Sequence, residues 1–261
     1  MSEDSYARLR FANIRQLPGT GLFADEVGAI APDVQAVSID LDDGGNIDLT
    51  GIENLPLLSW LIVHHCDGIL SYGGSGNGVM ALTRLLMPYA QGVTEQLVAS
   101  PHLQDIEIEG GTLDLLKHMP ETVREVELRR VKSASDPAAW DRLSQLDRVA
   151  IYQSGTIEVA APADGWPEFV NFIVIGSLKG IVQASEVCPF QHLYFEGVRL
   201  FDPGASFWDL QAKCVTVGYS TKPPKWLVEA WPQRPEDWAE RFSIASHRLL
   251  PGSEEPYFDE L

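Results

Sequence analysis

The sequence predicts an α/β fold built from stacked repeats, each of which contributes one strand to a parallel β-sheet. Two observations support this prediction. First, apolar residues (h) recur in the pattern hxxhxh, and most copies lie about 22 residues apart, a spacing typical of repeat proteins whose neighbouring units share a core. Second, a proline stands just ahead of the pattern in several copies, where it costs no hydrogen bond of the sheet.

The apolar pattern occurs eight times between residues 30 and 220. If each copy forms a strand, its middle apolar residue points into the core, because side chains alternate across a strand. We expect these middle residues to stack as one buried ladder. They are Val37, Leu61, Ile106, Val126, Val149, Phe172, Leu193 and Val215. Neighbours in this series lie 20 to 24 residues apart, except that 45 residues separate Leu61 from Ile106. One repeat is therefore disguised between them.

The segment 71–98 covers the disguised repeat. Four glycines lie within Gly73–Gly78, and the apolar residues that follow from Val79 onward have helical spacing. We therefore predict a flexible loop followed by a helix, which Pro88 kinks or splits. A glycine-rich loop that opens a helix can also bind phosphate. No Lys-Ser/Thr pair follows these glycines, so the Walker pattern is absent, and small-ligand binding by the loop is kept as an alternative.

The two ends of the chain lack the repeat. We predict an N-terminal cap over residues 1–30, a repeat region over 31–220, and a C-terminal cap with an acidic tail over 221–261. Caps are needed because the end units of a repeat stack would otherwise expose their apolar faces. The second cap carries Trp226, Trp231 and Trp238, bulky side chains that we expect to seal the end of the stack.

The repeats resemble those of the leucine-rich repeat family, whose unit reads LxxLxLxx(N/C)xL. The resemblance covers about residues 30–220 and rests on the period, since many of the leucines are Val, Ile or Phe here. It implies an α/β solenoid with a parallel β-sheet on the concave face and an irregular or helical convex side. Cys66 holds the Asn/Cys position of its repeat. The resemblance therefore implies that Cys66 turns inward, buried and without a metal.

Composition limits the classes of partner. The chain has 37 acidic and 19 basic residues and a formal net charge of −18, which argues against nucleic acid or an anionic membrane as the partner. The negative net charge is compatible with a basic protein partner, and it also keeps a protein soluble. Three cysteines do not suggest a disulfide framework. No apolar secretory segment is found near the N-terminus, so we expect a cytoplasmic protein.

Catalysis has little support in the sequence. None of the six histidines lies in a GxSxG, HExxH or HxE…PCxxC context. His64 and His65 precede Cys66, but adjacent strand residues point to opposite faces and cannot easily converge on one metal. We therefore expect no enzyme activity, no cofactor and no metal. The many carboxylates of the chain could include a catalytic pair of the glycosidase type. An enzyme is therefore kept as part of the alternative function.

The predicted function is non-catalytic recognition of another protein through the concave face. Side chains that alternate with the buried ladder should line this face, with an acidic centre and an apolar, aromatic flank. Acidic groups steer a basic partner and aromatic groups anchor it. An immunity or inhibitor protein that neutralises a basic enzyme is one form of such recognition. The expected binding residues are Trp60, Asp105, Glu107, Glu109, Glu125, Glu127, Tyr152, Ile173, Ile175 and Tyr194. The alternative is an enzyme or a small-ligand-binding protein that uses the Gly73–Gly78 loop.

Overall fold

The fold is α/β with a large parallel β-sheet, as expected from the repeats. The structure is a computed structural model that describes residues 11–15, 32–40, 46–66, 68–74, 78–219 and 222–244. For residues 11–15 and for His65 it describes the backbone alone. The chain forms two compact units, Met1–Arg129 and Arg130–Leu261.

In the first unit, six strands pair side by side, all parallel, in the order β1, β2, β4, β6, β7 and β8. Two short strands, β3 and β5, pair with each other. The strands are β1 (Phe11–Arg15), β2 (Ala36–Asp40), β3 (Ile47–Asp48), β4 (Trp60–His65), β5 (Leu70–Ser71), β6 (Arg84–Pro88), β7 (Asp105–Glu109) and β8 (Glu125–Arg129). The connections contain the α-helix Val93–Val98 and the 3-10 helices Ile52–Asn54 and Leu113–His118.

In the second unit, five strands pair in parallel in the order β9, β11, β13, β15 and β16. A smaller parallel ladder joins β10, β12 and β14. The strands are β9 (Arg148–Tyr152), β10 (Thr156–Glu158), β11 (Phe169–Ile173), β12 (Ser177–Lys179), β13 (Phe190–Glu196), β14 (Leu200–Phe201), β15 (Ala212–Gly218) and β16 (Phe242–Ile244). The helices are the α-helices Ile181–Val187 and Lys225–Ala230 and the 3-10 helices Pro137–Gln145, Phe207–Asp209, Trp231–Gln233 and Trp238–Glu240.

All eight residues of the predicted ladder are buried, each with at most 2% of its surface exposed. Seven of them also have the predicted register within their own unit, but Phe172 does not. Phe172 pairs with Ile151 and Phe195, and the ladder position of its strand is held by Val170. The segment FVNFIV is apolar at five of its six positions, so the pattern fits it in more than one frame. Only the paired strands select the correct one.

The disguised repeat is a strand, so the helix predicted from Val79 to Pro88 is wrong, and among the described residues of this segment a helix is found only after Pro88. Strand β6 places Leu85 between Leu61 and Ile106 in the sheet. The segment LTRLLM therefore supplies the missing copy of the pattern, with Leu82, Leu85 and Met87 as its buried apolar residues. The α-helix of this segment is limited to Val93–Val98. Apolar residues three apart fit a helix as well as this strand pattern, and pairing in the sheet decides between the two.

Both predicted caps contribute a strand to the parallel pairing. In β1, Ala12 pairs with Val37, and in β16, Phe242 pairs with Val215. The repeat register thus continues on both sides of residues 31–220. The acidic tail predicted at the C-terminus lies outside the described residues.

The tryptophans of the C-terminal segment pack as expected for a sealing layer. Trp231 is 1% exposed, and its ring centroid lies 6.0 Å from that of Trp208 and 5.1 Å from that of Trp238. The indole of Trp226 donates a hydrogen bond to the carbonyl oxygen of Val198 (2.9 Å). These rings cover the apolar residues of the last repeats.

A left-handed backbone corner follows several strands. Gly110, Arg130, Gln153, Val174 and Gly197 each come directly after a strand and have φ values of 96°, 53°, 48°, 56° and 62°. In the second unit, the backbone amides of three corner residues each donate a hydrogen bond to the carbonyl oxygen of the last residue of the next long strand of that unit. Arg130 donates to Tyr152, Gln153 to Ile173 and Val174 to Glu196. The repeats therefore share one turn geometry even where the residue is not glycine.

Candidate binding surfaces

The outward face of each sheet is defined here as the face whose side chains alternate with the buried ladder. In the first unit, β7 and β8 place five carboxylates on this face, and we call them the acidic cluster. Its members are Asp105, Glu107, Glu109, Glu125 and Glu127. All five are half-buried or exposed. The structure thus brings together the acidic residues that the sequence predicted as one patch.

Register places like charges opposite each other in the acidic cluster. Asp105 is the Cα partner of Glu125, and Glu107 is the partner of Glu127. Carboxylates directly opposite each other on neighbouring strands repel and weaken the pairing. The paired carboxylates lower the stability of the folded sheet, and nearby cations would offset their repulsion.

Two arginines offset part of this repulsion. The Arg129 guanidinium lies 3.0 Å from a carboxylate oxygen of Glu107 and also binds Glu127. Arg84 lies 3.3 Å from Asp105. Alternation along β8 puts Arg129 on this face, but it does not show that Arg129 contacts the acids, because side-chain conformations decide which groups meet. The acids still outnumber these two cations, so the face remains acidic.

Burial adds to the electrostatic cost at Glu107. Burial raises the pKa of Glu107 above its ordinary value, and the neighbouring carboxylate of Glu127 raises it further. Arg129 and Arg84 oppose this rise but do not cancel it. The ionised form of Glu107 is thus held unfavourably, and a further cation nearby would stabilise it.

Trp60 lies on the outward face but is not an exposed anchor, contrary to the prediction. Its side chain is 6% exposed, and the Arg84 guanidinium carbon lies 5.2 Å from the centre of the ring. This geometry is a cation–π contact. Trp60, Arg84, Asp105 and Glu125 form one row across neighbouring strands and line a shallow depression of about 360 Å³.

The second unit carries a larger pocket of about 440 Å³ on its outward face, which we call the tyrosine pocket. Three rows of side chains from neighbouring strands form it. The first row is Arg148, Phe169, His192 and Cys214; the second includes Asn171, Tyr194 and Thr216; and the third is Tyr152, Ile173 and Glu196. Tyr152, Ile173 and Tyr194 were all predicted as binding residues, and the structure gathers them in this one pocket.

A hydrogen bond fixes the acidic end of the tyrosine pocket. The Tyr194 hydroxyl donates to a carboxylate oxygen of Glu196 (2.8 Å). Burial raises the pKa of Tyr194, and this hydrogen bond and the Glu196 charge raise it further, so the hydroxyl keeps its proton. Gly218 stands beside them, and a Cβ atom there would lie 2.7 Å from the Tyr194 hydroxyl oxygen. The missing side chain at Gly218 is what lets Tyr194 occupy this position.

The frame error at β11 put one wrong residue into the predicted site and left one residue out. Ile175 was expected on the exposed face, but it is completely buried and follows the end of the strand, so it cannot anchor a partner. Phe169 was missed, yet it is 44% exposed on the outward face and stacks on His192 with a centroid distance of 4.9 Å. If Val170 is taken as the ladder residue of β11, the alternation of side chains along the strand places Phe169 on the outward face.

Cys66 is half-buried, not buried as expected. Its thiol donates to the carbonyl oxygen of Gly68 at 3.6 Å, so it contacts the backbone of the turn that follows β4. The His64 ring nitrogen Nε2 lies 3.1 Å from the Ser38 hydroxyl. Among the residues that the structure describes, no three His, Cys, Asp or Glu side chains are grouped closely enough to hold a metal ion.

The described glycines of the Gly73–Gly78 loop have structural roles. Gly78 has a φ of 67°, and a Cβ atom there would lie 2.7 Å from the Cα atom of Ser100. The neighbouring amide of Val79 donates to the Ser100 hydroxyl. Close packing against Ser100 therefore requires glycine at this position. Residues 75–77 of the loop lie outside the described residues.

Comparison of the chain with models of protein families, with curated proteins and with solved structures finds no match. The resemblance to the leucine-rich repeat family therefore rests on the sequence pattern. In the described ranges, no helix combines the length and the apolar character that crossing a membrane requires.

Proposed function

We propose that the protein binds another protein through the outward faces of its strands and does not act as an enzyme. In this proposal the repeats stack as a leucine-rich-repeat-like solenoid, and the outward faces line its concave side. The partner is a basic protein, and inhibition of a basic enzyme, as by an immunity protein, is the form of recognition that best fits so acidic a chain.

The observation that carries this proposal is the pairing of carboxylate with carboxylate across β7 and β8. Like charges in opposite positions destabilise a sheet, and the raised pKa of Glu107 reports the same repulsion together with burial. Arg129 and Arg84 relieve only part of it. A partner that brings lysines or arginines to this face would relieve the rest and gain affinity and association rate.

The tyrosine pocket supports the proposal separately. Tyrosines, isoleucine and an exposed phenylalanine are the kinds of side chain that anchor protein interfaces. Phe169 exposes 44% of its surface, and Ile173 lies in the same pocket. Burial of these groups by a partner would add hydrophobic stabilisation that charge alone does not supply.

Site-specific photo-crosslinking tests the proposal. A photoreactive amino acid is placed at Glu125 or at Ile173, which lie on the outward faces, and at Val187 as the control. Val187 is 73% exposed at the end of the helix Ile181–Val187. In extracts of the native cell, the same basic protein should crosslink at Glu125 or Ile173 and not at Val187. Crosslinking that is equal at Val187, or found there alone, contradicts the proposal.

A further inference from the structure

We propose that the acidic end of the tyrosine pocket binds one basic side chain, arginine or lysine, of the protein partner. This inference rests on the proposed function and adds which chemical group is recognised and by which residues. Glu196 accepts the charge, Tyr152 and Tyr194 flank the cation, and Gly218 leaves room for the Tyr194 hydroxyl beside Glu196.

Glu196 is a carboxylate with room for a cation. The Tyr194 hydroxyl holds one of its oxygens, Oε2, at 2.8 Å. In the part of the chain that the structure describes, no lysine or arginine lies within 4.0 Å of the Glu196 carboxylate. Glu107 and Glu127, on the outward face of the first unit, both contact Arg129. A half-buried carboxylate can pair with a cation, and in this proposal the partner supplies it.

The flanks of the pocket suit a cation with an apolar stem. Tyr152 and Tyr194 both line the pocket, and Tyr152 is close enough to add to the rise in the pKa of Tyr194 that burial and Glu196 cause. A cation within about 6 Å of an aromatic ring centre is attracted to the ring face. Ile173 lies on the strand between Tyr152 and Glu196, where it can contact the methylene groups of a lysine or arginine.

The position of Gly218 fixes where Tyr194 stands at the acidic end of the pocket. Glu196 and Gly218 are Cα partners on β13 and β15, and Gly218 contributes no side chain beside the carboxylate. The Tyr194 hydroxyl uses part of this space, since a Cβ atom at Gly218 would approach it to 2.7 Å. An added methyl group at this position would therefore displace Tyr194 and narrow the acidic end.

The opposite end of the tyrosine pocket carries basic side chains, and these set the orientation of the bound cationic side chain. Arg148 and His192 lie in the first row, and His192 precedes Glu196 by four residues of one strand, which is about 13 Å at the rise of an extended chain. The cation is drawn toward Glu196 and away from Arg148. An anionic ligand at the Arg148 end would have to overcome the formal net charge of −18.

A peptide titration followed by NMR tests the inference without the natural partner. The probes are acetyl-Gly-Arg-Gly-amide and the same peptide with citrulline, which has nearly the shape of arginine but no charge. The titration extends into the millimolar range because one side chain binds weakly. The arginine peptide should shift the amide signals of Tyr194, Glu196 and Thr216 in a saturable way. The citrulline peptide should leave these signals in place.

Variants assign the binding to the proposed residues. Glu196→Gln should weaken binding of the arginine peptide about tenfold, since a charge-assisted hydrogen bond is replaced by a neutral one. Gly218→Ala should also weaken it, by displacing Tyr194 without a change of charge. Glu158→Gln is the matched control, because Glu158 is exposed on β10 and contacts Lys179; it should leave the affinity unchanged.

The outcomes separate this inference from the proposed function. Equal binding of the citrulline peptide, the absence of a saturable shift, or an unchanged affinity in Glu196→Gln overturns the inference. If the photo-crosslinking still finds a basic protein on the outward face, the proposed function stands while the inference fails. If crosslinking instead favours Val187, the proposed function fails whatever the peptide binds.

Discussion

Replacement of Val174 by glycine should stabilise the protein. Val174 has a φ of 56°, a left-handed conformation that is rare for a β-branched residue. Its side chain is 46% exposed, so the substitution gives up only part of the burial of a core valine. The next repeat has Gly197 at the equivalent corner, with a φ of 62°, which shows that glycine fits this turn.

The expected gain follows from two opposing effects. The left-handed conformation costs a side-chain-bearing residue about 1–2 kcal/mol, and glycine removes this cost. Glycine also gives the unfolded chain more freedom, which lowers stability by about 0.4–1 kcal/mol. The free energy of unfolding should therefore rise by about 0.5–1 kcal/mol in Val174→Gly. Urea unfolding measures it as a higher midpoint at an unchanged slope.

The control is the same substitution at an exposed valine with an ordinary backbone. Val187 is 73% exposed at the end of a helix and has no positive φ. Val187→Gly should lower the free energy of unfolding, because glycine disfavours the helix without relieving strain. If both variants lower the midpoint by the same amount, the left-handed conformation of Val174 does not strain the chain.

Three further predictions concern the core, the acidic cluster and the turn after β4. Phe172→Ala should cost about 3–5 kcal/mol of unfolding free energy, because Phe172 is fully buried, whereas Phe169→Ala on the outward face should cost much less; urea midpoints compare them. Because the pKa of Glu107 is raised in the folded protein, its ionisation lowers the free energy of unfolding as pH rises above 4.5, its ordinary value. Glu107→Gln should remove this part of the pH dependence of stability. An unchanged pH profile in the variant would refute the stated cause. Cys66→Ser should change thermal stability little, because Cys66 is half-buried. The assignment of Cys66 to turn backbone would be contradicted if the wild-type protein held stoichiometric metal and this variant lost it.

The ladder and the outward face could be predicted from the sequence because both follow from local rules. A strand alternates its side chains, and a period of about 22 residues brings equivalent positions side by side. Val126 and Glu127 are therefore assigned to opposite faces without any knowledge of their neighbours. The same rules placed Tyr194 on the outward face, and the structure agrees.

The errors arose where the local pattern has more than one solution. LTRLLM has apolar spacing that fits a helix and a strand, and FVNFIV accepts two frames. In both cases the register with neighbouring strands decides, and that information is not local. The wrong frame placed Ile175 on the exposed face and hid Phe169.

Other features depend on side-chain positions that no pattern encodes. Arg84 covers Trp60, and Arg129 bridges Glu107 and Glu127. The alternation rule identified the residues of the face but not which of them pair. The position of the Tyr194 hydroxyl likewise depends on Gly218, a residue beyond the weakest copy of the pattern.

Association kinetics with the crosslinked partner test the central claim most directly. Wild-type protein is compared with a double variant, Glu109→Lys and Glu125→Lys, whose side chains are exposed on the acidic cluster. Rates are measured at about 0.1 M and about 1 M salt, where charges are screened over about 10 Å and about 3 Å. The wild-type association rate should fall with salt, and the variant should associate more slowly and with less dependence on salt. If the double variant leaves both the rate and its salt dependence unchanged, the acidic cluster is a solvated surface and the partner binds elsewhere.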